Sequence, residues 1–307
     1  LDLVKKFIWD YLAFTNDNVD YDFLLALDGN DEKYLDFCKE YHIPLLYSEA
    51  REGVGLSKNR VLKQFPDYDY YFFIEDDAEL VDNNVFDLFI KLSQELNFPH
   101  MSLNSPRDII DANAFNNRLL LAKYGGGYFN FFSKQGLDLV GGWHTLFAKY
   151  RRYGHTEHTY RFYHQKLIPA PYIVVKESCK MVILHDPPHV TELEEVFNEN
   201  QLINEEFELI SQKSTYFPIT TISSYYFNGF EMNNNMDVRM FLESNMRKYA
   251  LSSGFERRNA LAEHYFLRIG TTNSILEKLW FFIKSIFYFP FNNSFKHAVK
   301  TLIKMNK

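Results

Sequence analysis

The residues best equipped for chemistry stand where apolar runs stop. Tyr70 to Ile74 (YYFFI) is the most apolar strand candidate in the chain, and Glu75, Asp76 and Asp77 follow it directly. On an extended backbone alternate side chains point the same way, so Glu75 and Asp77 can address one ligand while Asp76 faces elsewhere. Paired carboxylate oxygens on a rigid strand end suit Mg²⁺ or Mn²⁺ carrying a diphosphate. A solvated acidic turn has the same composition, so the triplet does not decide by itself. A second apolar run, Phe23 to Leu27, ends in Asp28 and Gly29. His155, His158 and His164 lie close in sequence, but no HExxH pairing and no nearby thiols accompany them, which argues against zinc. Neither GxxxxGK(S/T) nor GxGxxG occurs, and Gly125 to Gly127 reads as a turn.

The elements that must carry these residues alternate. Val4, Ile8, Tyr11 and Leu12 form a helical stripe, and Phe23 to Leu27 reads as a buried strand. Asp31 to Tyr41 is helical again, Leu45 to Tyr47 a second strand, and Leu56, Val61, Leu62 and Phe65 mark a further helix before the Tyr70 strand. This alternation predicts an α/β fold, a mostly parallel central sheet flanked by helices. In such sheets ligands sit beyond the carboxyl ends of the strands, where both acidic ends fall. From about residue 190 the texture changes. Glu192, Glu194, Glu195, Glu199, Glu205, Glu206 and Glu208 line an acidic helical stretch, read as a solvated face, and Asn233 to Asn235 a loop. The expected division is a catalytic domain over 1–190 and a mainly helical C-terminal region over 191–307.

Composition narrows the function classes. A net charge of -7 opposes a general nucleic-acid binder, and 46% hydrophobic residues oppose disorder. Aromatics reach 18%, read chiefly as core. Two distant cysteines, Cys38 and Cys179, exclude a disulfide scaffold and suit a reducing cytoplasm. No apolar run approaches the roughly 18 residues of a membrane-spanning helix. Residues 275–307 hold six Lys and one Glu, a net of +5, among bulky residues such as Leu279, Trp280, Phe281, Phe282, Ile283 and Phe287. That tail should lie on an anionic membrane surface, with Lys296, Lys300 and Lys304 as a basic face, or else pack as an ordinary helix.

The order LALDGND, EGVGLSKNRVL, YYFFIEDDAEL resembles the nucleotide-binding half of family 2-like glycosyltransferases of GT-A fold. The later stretch GGGYFNFFSKQGLDLVGGW, YGHTEHTYRF, LIPAPY, VILHDP resembles their acceptor half, so the likeness spans about Leu1 to Pro188. The resemblance implies that Asp28 contacts the uridine or its ribose and that Lys58 faces the donor. It implies that Glu75 and Asp77 are the ends of a DXD element binding Mn²⁺ or Mg²⁺, with Asp76 between them beside the donor, and that His185 completes the metal and diphosphate site. Trp143 would line a sugar, and Glu157 falls on the Glu of the family's Glu-Asp pair. Each has a plainer alternative: Asp28 a helix cap, Lys58 a solvated lysine, Trp143 core, His185 a structural histidine.

Two departures stand out. The family's first strand has no counterpart, because the sequence opens on the helix that follows it. Either residues precede Leu1 or the sheet edge is built differently. The pair reads Glu157-His158, so the usual aspartate base is replaced; Glu157 is the expected base and His158 the alternative. The activity implied is metal-dependent, inverting transfer of a sugar from a nucleotide-diphosphate donor, UDP-linked, to a glycan or lipid-linked acceptor, by a cytoplasmic enzyme peripheral to the membrane. A non-catalytic glycan- or nucleotide-binding module and a nucleotidyltransferase are the rivals. Sequence leaves the sugar, the acceptor and the oligomeric state open.

Overall fold

A computed structural model describes residues 1–14, 21–103, 106–149, 153–185, 207, 210, 213–229, 265, 269 and 274–288. The acidic stretch, Asn233 to Asn235 and the lysines at 296, 300 and 304 lie outside these residues. The described elements run α1 (Asp2–Phe14), β1 (Leu25–Ala26), α2 (Glu32–Glu40), β2 (Leu45–Ser48), α3 (Val54–Gln64), β3 (Tyr70–Ile74), β4 (Ala78–Leu80) and α4 (Asn84–Leu96). They continue with β5 (His100–Leu103), β6 (Arg107–Asn113), α5 (Ala114–Asn117), β7 (Leu119–Tyr124), β8 (Phe129–Ser133), α6 (Lys134–Val140), α7 (Thr145–Lys149) and α8 (Gly154–His164). Last come β9 (Tyr172–Val175), β10 (Val182–Leu184), β11 (Tyr225–Asn228) and α9 (Ile275–Tyr288).

The α/β class holds, but the sheet is mixed and not mostly parallel. A six-stranded sheet has the order β3-β8-β5-β9-β7-β6, a three-stranded sheet β1-β2-β11, and β10 pairs with β4. Among the described strands β1–β2 and β5–β9 pair in parallel; β3–β8, β5–β8, β7–β9, β6–β7, β4–β10 and β2–β11 are antiparallel. The expectation of parallel strands came from helix–strand alternation over the first 77 residues. Beyond residue 100 strands return without a long crossover: the four-residue α5 joins β6 to β7, which makes an antiparallel pair. At the outer edge β6 is exposed along nearly its whole length, and its register with β7 shifts between Ile109 and Asp111.

The local reasons are plain. The predicted α1 stripe, Val4, Ile8, Tyr11 and Leu12, is buried. Asp31 caps α2 by accepting the Lys33 N–H at 3.0 Å. In the core Phe72 meets Phe86, Phe89, Phe129 and Phe131 at ring separations of 5.0–6.2 Å. Ten phenylalanines among the described residues are buried.

Residues 213–229, which sequence placed in a separate C-terminal region, are built into the first. β11 adds to β2, and Phe217 exchanges backbone hydrogen bonds with the 140–142 turn. Glu52 accepts from Ser223 while pairing with the buried Arg60 at 2.5 Å. Asn59, fully buried, is the junction. Its amide donates to the carbonyls of Trp143 at 2.8 Å and Thr220 at 2.9 Å, and its carbonyl accepts the Trp143 N–H at 2.7 Å. Asn59→Ala strands Trp143 groups in a dry interior, so urea unfolding should show a loss of about 2–4 kcal/mol with the slope unchanged.

Candidate donor site and its surroundings

A cavity of about 1670 Å³ opens at the carboxyl ends of β1 and β3, lined at its polar end by Asp28, Asp31, Arg51, Ser57, Lys58, Glu75 and Asp76. Two backbone constraints shape that end. Asp28 accepts the N–H groups of Glu52 at 2.7 Å and Gly53 at 2.9 Å, which holds the loop entering α3. Gly53 has φ +98°, and a Cβ there would lie 2.0 Å from the Ala148 carbonyl oxygen, so only glycine fits. Asp28 thus braces the loop before α3 and lines the cavity, while the next helix, α2, is capped by Asp31.

Lys58 is not a solvated lysine. It is 7% exposed, its Nζ lies 3.4 Å from Glu75 Oε1, and it stands 5.6 Å from the centre of the Trp143 ring. Glu75 and Asp76 face the cavity; Asp77 does not. The expected alternation fails because β3 ends at Ile74 and the chain turns at Asp76 and Asp77 to start β4. Asp77 is buried, and its carbonyl accepts the His185 N–H at 2.7 Å.

The ligand set expected from sequence is not gathered on the cavity. His185 lies beside Asp77 through the β4–β10 pairing, but its Nε2 is 3.0 Å from Glu79 Oε2, and Glu79 also meets Lys6 at 3.2 Å. Among the described residues no group of three or more His, Cys, Asp or Glu side chains is placed to hold a metal ion. The carboxylates that do line the cavity are those of Glu75 and Asp76.

Trp143 is 1% exposed and belongs to the core. It stacks on His158 with ring centres 4.2 Å apart and meets Phe73 and Phe132 edge-on. Glu157 and His158 are likewise fully buried. Glu157 Oε2 pairs with Arg161 at 2.8 Å, and Arg161 donates to the carbonyls of Val140 at 2.6 Å and Gly142 at 2.7 Å. His158 Nε2 donates to the Gly141 carbonyl at 2.9 Å, and burial pushes the imidazole well below its ordinary pKa. Placed on the inward face of α8, neither side chain can meet an acceptor sugar; they hold the turn that carries Trp143.

Two residues that sequence did not select stand in better places. Arg51 brings a guanidinium to the cavity wall. His155, half-buried at the start of α8, hydrogen-bonds the Gly125 carbonyl and feels both Glu75 and Lys58; burial lowers its pKa most, with Lys58 acting the same way and Glu75 opposing. A Cβ on Gly127 would fall 2.8 Å from the ring, so the glycine turn makes room for the histidine. The signal available was the glycine triplet, which read only as a turn. No protein-family model, no curated protein and no solved structure matches this chain.

Glu79 supplies a pH test. Burial would raise its carboxyl, but His185 and Lys6 prevail and hold it at about 2. A carboxylate depressed on folding stabilises the protein above its unfolded pKa, and that contribution goes as pH falls from about 4.5 toward 2. Asp10, raised by burial to about 6, changes charge mainly above this window. Glu79→Gln should cost about 2–3 kcal/mol at pH 7 and flatten the acid limb of a Tm–pH curve between pH 4.5 and 2.

Proposed function

We propose that the chain transfers a sugar from a nucleotide-diphosphate donor, UDP-linked, to a hydroxyl of a glycan or lipid-linked acceptor. The observation that carries this reading is the polar end of the cavity: two cationic side chains, Arg51 and Lys58, facing two carboxylates, Glu75 and Asp76, beyond the ends of two strands. A diphosphate needs such cations, and Glu75 and Asp76 would share a divalent ion that offsets diphosphate charge. In this reading His155, and not the buried Glu157, would be the base. Held neutral at pH 7 by its lowered pKa, it would accept the proton of the acceptor hydroxyl as that oxygen attacks the anomeric carbon. The bond from that carbon to the diphosphate oxygen breaks, and its electron pair leaves with the diphosphate, beside Arg51 and Lys58.

A panel of nucleotide sugars, each assayed for nucleoside diphosphate release with Mn²⁺ and with chelator, tests the reaction. His155→Asn should lower turnover at least about 100-fold with UDP affinity kept, while Asp76→Asn should remove most of the metal dependence of UDP binding. Pyrophosphate release from a nucleoside triphosphate would favour the nucleotidyltransferase instead. UDP binding with no release from any donor would favour the non-catalytic module, a reading that gains from the burial of Glu157 and His158.

The membrane contact read from sequence gains support from α9. Leu276, Leu279, Trp280, Ile283 and Phe287 recur at helical spacing and are all exposed, while Phe281 packs on Ile269 from the other side. No described helix is long and apolar enough to cross a membrane. An exposed apolar face in a segment of net charge +5 suits the surface of an anionic bilayer. In flotation with phosphatidylglycerol vesicles, Leu279→Asp with Ile283→Asp should lower recovery at least about fivefold; recovery equal to that of the unaltered chain refutes the contact.

A further inference from the structure

Beyond His155 lies a run of uncovered tyrosines that the proposed reaction does not use. Strand register shows which side of the sheet they occupy. Tyr172 of β9 donates to Thr156 of α8 at 2.9 Å, so it points to the side that α8 covers. Residues paired across neighbouring strands share a side, and so do residues two apart on one strand. Ala122 stands opposite Tyr172, Tyr124 follows two places on, and Arg107 and Ile109 of β6 stand opposite Tyr124 and Ala122. All four therefore share the side of α8.

That helix is seated over the middle of the sheet. His158 and Phe162 meet Phe132 of β8, and Thr159 meets His100 of β5 at 3.0 Å. Tyr160 on its flank reaches β7, donating to the Lys123 carbonyl at 3.3 Å. Over β7 and β6 the same side is open: Tyr124 is 46% exposed and Ile109 41%. Tyr163 is also exposed, its ring centre 6.5 Å from that of Tyr160. Burial, then the neighbouring Tyr124 and Tyr163, push the Tyr160 phenol up to about 12, and Tyr160 and Tyr124 are hydrogen-bonded. Sheet and helix thus form a step, with Tyr124 and Ile109 on its floor and Tyr160 and Tyr163 on its wall.

The step begins at the reacting end. His155 hydrogen-bonds the Gly125 carbonyl, directly after Tyr124, and lies close enough to feel Glu75 and Lys58. From His155 to Tyr163 the helix advances about 12 Å, more than one sugar ring covers. The chemistry of the step selects its occupant. Its surfaces are aromatic faces edged by hydroxyls, with the Arg107 guanidinium at one side. An acyl chain would leave those hydroxyls without partners, and a polyanion needs a row of cations. A sugar ring offers C–H faces to the aromatic rings and hydroxyl edges to the phenol tips.

We infer that this step is an acceptor subsite for an extended glycan, which lies along α8 from His155 to Tyr163 and stacks sugar rings on Tyr124 and Tyr163. The inference rests on the transfer proposed above and narrows its acceptor to a chain of several sugars, whose terminal hydroxyl meets His155.

Binding tests it without any transfer. The full chain is applied to an array of immobilised glucose, galactose, mannose and N-acetylglucosamine series, each from monosaccharide to hexasaccharide. It should bind the longer members of at least one series and not the monosaccharide. Tyr124→Ala with Tyr163→Ala should weaken that binding at least about tenfold with Tm unchanged, while Tyr124→Phe with Tyr163→Phe keeps the rings and most of the binding. No binding in any series overturns the inference, as does binding that the alanine pair leaves unchanged. A dimer seen by light scattering and lost in the alanine pair also overturns it, because a second copy would then cover the tyrosines. Ring-dependent glycan binding with no transfer from any donor supports the subsite and sinks the reaction instead.

Discussion

The Arg161 guanidinium is the constraint from which the described site hangs. Buried completely, it would be costly alone, but Glu157 balances its charge and the carbonyls of Val140 and Gly142 accept from it. The 140–142 turn delivers Trp143, whose ring stacks on His158 and has the Lys58 ammonium 5.6 Å from its centre. Lys58 in turn meets Glu75 at the cavity. A side chain on α8 thus sets the position of a cation on α3 and a carboxylate after β3, without touching either.

The same network explains what sequence could and could not tell. The strand before Glu75, the stripe of α1 and the acid closing β1 were legible because each rests on local periodicity. Which acids face a ligand was not. Asp77 and Asp76 exchange their expected roles because a turn, not a continued strand, follows Ile74. Glu157 and His158 looked catalytic from their neighbours in sequence, but the face they occupy is fixed by how α8 packs, which no single segment records. The antiparallel returns beyond residue 100 and the pairing of β11 with β2 are likewise long-range, joining residues up to about 180 positions apart.

Charge is distributed unevenly around the site, and this bears on selectivity. Arg51 and Lys58 stand among Asp28, Asp31, Glu75 and Asp76, so the cavity presents cations inside an acidic surround. In the proposed reading, a highly charged anion without a counter-ion would be repelled by that surround, and one bringing a divalent cation would meet a complementary surface.

The outer strand β6 closes one side of the six-stranded sheet. Exposed and carrying Ile109 and Ile110, it would by itself be a template on which other molecules could add strand after strand. Arg107, Asp108 and Asp111 interrupt it, and the register shift beside Asp111 spoils its regular ladder. An edge broken in this way is a poor template for strand addition by another molecule.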